Sequence, residues 1–199
     1  MKNTILILFL SAFLMNCQNN SSEKKEEQDH SSHDHSAHNH ASKEEAAPDT
    51  IKGSPKKMAM ANIGSTHIHI EYNSPAVRKR VIWGGLVALG EVWVTGAHEA
   101  TSIDFSKDVT INGKTIPKGK YAFFTIPNEK EWTVILNKNW EQHLADEYSE
   151  KDDILRFQLT PTPNDFTERL TYKVVPKDEE TATIEMAWEK LKIVFEVKK

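Results

Sequence analysis

This 199-residue chain contains a single cysteine, Cys17, and it comes early. One thiol closes no intramolecular disulfide, so the folded part must be held by its core. The rest of the chain is left without a cysteine nucleophile. There is no surplus of positive charge. Lysine and arginine number 25 against 29 acidic residues, and the formal net charge is −4. From Met58 to Lys199 the balance is 18 basic to 21 acidic. Without a basic patch to neutralise phosphates, nucleic acid is excluded as a partner. No apolar run reaches the ~20 residues that a membrane-spanning helix needs. There is no Gly-x-Ser-x-Gly elbow, no His-Glu-x-x-His, no phosphate loop and no dinucleotide fingerprint. No internal repeat is visible.

What the chain does have begins at its start. Lys2 is followed by the largely apolar stretch Ile5 to Leu14, then Cys17. That is the layout of a secretory signal peptide, assigned to residues 1–16. Leu14-Met15-Asn16-Cys17 resembles a bacterial lipobox, although Asn16 is larger than the usual small residue there. Cys17 is then the lipidated first residue of the mature protein, and the membrane is engaged through acyl chains. The expected location is the bacterial cell envelope. Residues 17–54 read as a disordered tether, polar and almost free of large apolar side chains. This tether holds His30, His33, His35, His38 and His40. Flexible imidazoles of this kind are weak, unselective metal sites.

Residues 55–199 are long enough for one domain with a real core. A period of two dominates from Thr66, where Ile68, Ile70 and Tyr72 alternate with His67, His69 and Glu71. Asn112-Gly113 supplies the positive φ angles of a tight hairpin turn. Further strands are predicted at 121–126, 132–136, 154–160, 169–175, 181–188 and 191–197, with Pro161, Pro163 and Pro176 between them. Trp140, Leu144 and Tyr148 share a face at helical spacing, so one short helix is predicted over 140–148 with Asn139 as its cap. The fold class is therefore all-β, an antiparallel β-sandwich with one short helix.

Longer words then become recognisable. Trp83-Gly84-Gly85-Leu86-Val87, Gly90-Glu91-Val92-Trp93-Val94-Thr95-Gly96-Ala97 and Glu99-Ala100-Thr101 occur in order. Pro117 to Pro127, Trp132 to Lys138 and Ala187-Trp188-Glu189-Lys190 follow. Together they resemble a bacterial exported family known as domain of unknown function 2911. The resemblance implies a small β-sandwich in an exported, often lipid-anchored protein, and no established activity. Family members commonly carry Asn where this chain has His98, which marks a histidine-bearing subgroup.

Four histidines lie in the domain: His67, His69, His98 and His143. On a strand, His67 and His69 point to one face about 7 Å apart, which suits chelation of one ion. With His98 and His143 they would form a nitrogen site for copper or zinc if the four converge. Met58 and Met60 are possible additional ligands, since thioether sulfur favours Cu(I). Glu99 is the candidate outer partner that orients a ligand histidine, or forms an ion pair with Arg78 or Arg80. The leading expectation is a non-catalytic, metal-binding lipoprotein. The alternatives are a glycan-, peptide- or protein-binding module using residues 83–101, and a metal-dependent hydrolase using Glu99.

Overall fold

The computed structural model describes residues 49–199. The expected signal peptide, Cys17 and the five histidines assigned to the tether lie outside the described residues. Ten strands form two antiparallel sheets. In chain order they are β1 (Lys56–Ile63), β2 (Thr66–Asn73), β3 (Ser102–Phe105), β4 (Val109–Ile111) and β5 (Lys114–Ile116). Then come β6 (Gly119–Ile126), β7 (Trp132–Asn137), β8 (Asp153–Leu159), β9 (Thr162–Pro176) and β10 (Thr181–Lys198). The six-stranded sheet runs β1-β2-β3-β6-β7-β8, and the four-stranded sheet runs β5-β4-β10-β9.

Alternation explains the layering. Ile68, Ile70 and Tyr72 of β2 are buried, as are Ile103 and Phe105 of β3 and Phe123 of β6. They meet Leu170, Tyr172, Ile184, Met186, Trp188 and Phe195 of the other sheet in one core. Transfer of these side chains from water is the main stabilising term. Four indoles pack together within it. Trp83, Trp93, Trp132 and Trp188 lie with ring centroids 4.7–6.4 Å apart, the range of favourable aromatic pairs.

The hairpin at Asn112-Gly113 forms as expected, with φ of 48° and 77° joining β4 to β5. The two strands predicted over 181–188 and 191–197 are one strand, β10. A bulge at Glu189, whose φ is 55°, lets the chain bend without breaking the ladder. The helix predicted over 140–148 does not form; a 3-10 turn at Glu150–Asp152 is the one helical element among the described residues. Leu144 sits at φ 51°, which interrupts any right-handed run. The backbone pairs outward instead. Ala100 N donates to Gln142 O at 3.0 Å, and Leu144 N to His98 O at 2.6 Å. This segment and residues 92–100 cover the outer face of β6 and β7. A second small cluster results, with Val94, Ala100, Ala122, Phe124 and Ile135 at its centre.

Arg169 ties the chain's entry to this frame. Its guanidinium meets Asp49 Oδ2 at 2.8 Å, and it donates to the carbonyls of Ile51, Gly53 and Ser74. A buried cation shared among four oxygens is strongly held, because each lost contact would leave an unsatisfied group.

All four tyrosines, Tyr72, Tyr121, Tyr148 and Tyr172, are pushed above the usual phenol range. Burial is the first cause in each case, because it disfavours the phenolate. Tyr148 also donates to Asp153 Oδ2 at 2.7 Å, and that carboxylate raises it further. Raised folded values stabilise the protein below the unfolded value of ~10 and lose that contribution as pH climbs through the folded ones. Absorbance titration at alkaline pH should therefore show no tyrosine ionising at the ordinary midpoint before unfolding. A normal midpoint for two or more phenols would contradict this packing.

Candidate functional site

With Ile68 and Ile70 committed to the core, His67 and His69 must face outward from β2. Their ring centroids are 6.0 Å apart and the planes cross at 65°. His67 Nδ1 lies 2.7 Å from Asn62 Oδ1, and Asn62 is its direct partner across β1. An amide oxygen accepts the Nδ1 proton, which leaves Nε2 of His67 with its lone pair free. His69 Nε2 is shielded from solvent and has no hydrogen-bond partner, with Glu71 Oε1 4.0 Å away.

The neighbours of the pair are equally specific. Met60 is paired with His69 across β1, and Met58 with Glu71. Directly paired residues hold their Cβ atoms about 4.5–5.5 Å apart. Both thioethers are open to solvent, Met58 at 60% and Met60 at 47% exposure. On the other side His69 is paired with Asp104 of β3.

The other two histidines stand elsewhere. His98 lies in the loop before β3 with φ 63°. That left-handed conformation is one that Asn, Asp and His adopt more readily than most residues. The backbone therefore accounts for the residue type at this position. His143 is in the 140–148 segment, bridged by backbone to Glu99, with Nδ1 3.4 Å from Asp146 Oδ2. Among the described residues no three His, Cys, Asp or Glu side chains are grouped to hold a metal ion. The four-histidine site is thus not assembled. The segments of His98 and His143 pack over β6 and β7 and reach β2 at its Asn73 end, through Glu99.

Glu99 also has a different neighbour from the one expected. It accepts from Asn73 Nδ2 at 2.7 Å, while Arg78 and Arg80 donate to backbone carbonyls. Its own backbone N–H and the Asn73 amide hold its carboxyl below the usual range. Glu99 lines a cleft of about 430 Å³ together with Glu71, Asn73, Lys120, Trp140 and His143. Lys120 joins two sides of this cleft. Its Nζ donates to Glu71 Oε2 at 2.8 Å and sits 4.2 Å from the Trp140 ring centroid. The Lys120 hydrogen bond is the main reason that Glu71 is held below its ordinary value. Trp140 is one of the tryptophans that the sequence offers as cleft-lining, but nothing in sequence spacing points to Lys120, because the cleft joins segments that only the sheet order brings together.

Lys120→Met should remove the ion pair and the cation over the indole at once. Half-exposed contacts of this kind contribute about 1 kcal/mol or less each. Denaturant unfolding should show a loss of that size, and acrylamide should quench Trp140 more strongly. Unchanged quenching would mean that Lys120 does not cover the ring.

The comparisons with known proteins give one match. No curated protein and no solved structure matches the chain. The family described as "Protein of unknown function (DUF2911)" matches residues 54–197, which is nearly the whole folded part and the stretch that carries the expected motifs. The chain belongs to that family.

Proposed function

We propose that the domain binds a soft transition-metal ion, Cu(I) above all, on the outer face of β1 and β2. His67, His69 and Met60 are the ligands, and Met58 is the adjacent fourth donor. The observation that carries this reading is the placement of Met60 directly across from His69, with the His67 ring 6.0 Å from it. Nitrogens about 2.0 Å and sulfur about 2.3 Å from one ion are the distances such donors take up.

The absence of a third hard donor sharpens the choice of metal. Structural zinc sites are closed by four ligands drawn from Cys, His and carboxylate. Two imidazoles with a thioether are softer, and soft ligands select Cu(I). Asn62 supports the reading as an outer partner, because it orients His67 and fixes its tautomer. Met58 and Met60 are exposed beside a histidine with an unpartnered nitrogen, so their side chains are open to an approaching ion. Cys17 would hold the protein to a membrane of the bacterial envelope by lipid. The tail histidines would gather ions loosely and pass them to the domain. Such a protein is a binder or carrier of metal and not an enzyme.

The test uses the full chain with His30, His33, His35, His38 and His40 replaced by alanine, so that the tail does not compete. Competition against a chromogenic Cu(I) chelator should give one tightly bound equivalent. His67→Ala with His69→Ala should abolish it. Met60→Leu should weaken Cu(I) by about tenfold or more, comparable to the loss of a ligand's supporting partner, and weaken Zn(II) little. His98→Ala and His143→Ala should have no effect. Binding that survives loss of both His67 and His69 would sink the reading.

A further inference from the structure

Away from the His67–His69 face, a cavity of about 320 Å³ lies between the loop over residues 81–98 and Leu144. Its walls are apolar: Leu86, Val87, Trp93, Val94 and Trp188 among them. Its polar lining consists of Ser54, Arg80 and His98, and no carboxylate lines it. The volume is at the small end of the range for ligand pockets, and the mixture of apolar walls with a few polar groups is typical of them.

Two observations point to what it takes. Trp188 is 1% exposed, and its indole N–H has no acceptor. A buried donor without a partner carries a desolvation penalty that a bound acceptor would relieve. Arg80, at the same cavity, is spent only on the carbonyls of Ala76 and Val77. Among the described residues no carboxylate pairs with its charge. Donors and positive charge thus meet an apolar pocket without an acid to neutralise them. The bulge at Glu189 directly follows Trp188, and bulges of this kind commonly re-aim a neighbouring side chain beside a site. The rim carries exposed Leu86 and Leu144, at 49% and 41%, which would extend apolar contact beyond the cavity.

We propose that this cavity binds a small monocarboxylate with an apolar body, either an aromatic ring or a short acyl chain. The carboxylate accepts from the Trp188 indole and meets the Arg80 guanidinium, while the body lies against Trp93, Val87 and Leu86. None of the proposed metal ligands lines the cavity, so the site stands or falls independently of copper.

Calorimetric titration of the metal-free full chain with octanoate, benzoate and octan-1-ol tests it. Saturable binding of either carboxylate is expected, and the tighter of the two tells chain from ring. Octan-1-ol should bind at least about tenfold more weakly, because a hydrogen bond to a charged group is worth more than one to a neutral group. Trp188→Phe keeps an aromatic side chain, smaller than the indole, and removes the donor, and should weaken the carboxylate by about tenfold. Arg80→Gln, on the exposed rim, gives the same readout without touching the core. Absence of saturable binding by both carboxylates would overturn the proposal. Equal affinity for octan-1-ol, or affinity unchanged in both variants, would overturn it too.

Discussion

Strict alternation along β2 is the constraint on which the rest of the domain hangs. Ile68, Ile70 and Tyr72 are in the core, so His67, His69 and Glu71 have no choice but the outer face. A slip of one residue in the β1–β2 register would bury both imidazoles and expose both isoleucines. Burial of two isoleucines and a tyrosine thus fixes the position of two polar rings that contribute little to stability themselves. The same register sets Asn62 against His67 and Met60 against His69. The backbone placement of the proposed metal face is thus a by-product of core packing.

The other half of the six-stranded sheet is managed differently. Over β6 and β7 the outer face is apolar, with Ala122, Phe124 and Ile135, and it is covered by two loop segments. Gly96 belongs to that cover. A Cβ there would stand 2.7 Å from Thr101 Oγ1 and 3.2 Å from Asn73 O, so only glycine fits. The Trp93 indole donates to the Gly96 carbonyl at 3.1 Å and fastens the loop to the tryptophan cluster. One sheet face is therefore divided into an open polar half and a covered apolar half. The cleft around Lys120 lies at the border between them, and the cavity at Trp188 lies under the covering loop.

Much of this was legible in the residues, and the parts that were not share a cause. The alternation from Thr66 and the Asn112-Gly113 turn are local signals, and both strands and turn formed as expected. The extent of β10 was not legible, because a bulge at Glu189 depends on what its neighbour strand does. The segment 140–148 misled for a related reason. Trp140, Leu144 and Tyr148 have helical spacing, but Trp140 and Tyr148 pack against the second cluster while Leu144 stays exposed. Pairing with residues 98–100 overrode an intrinsic preference that is weak over nine residues. The histidines divide in the same way. His67 and His69 meet through strand period alone, whereas a meeting with His98 and His143 required tertiary placement that spacing does not encode. The methionines were visible only as two sulfurs nearby in sequence; the register makes Met60 a neighbour of His69.

The most direct measurement is copper K-edge X-ray absorption on the chain without tail histidines, loaded with one equivalent of Cu(I). The account predicts two nitrogen scatterers at about 2.0 Å and at least one sulfur at about 2.3 Å, with the outer-shell pattern of imidazole. The sulfur contribution should fall when Met60 becomes leucine. A first shell of nitrogen and oxygen alone, or a sulfur signal indifferent to both Met58 and Met60, would contradict it.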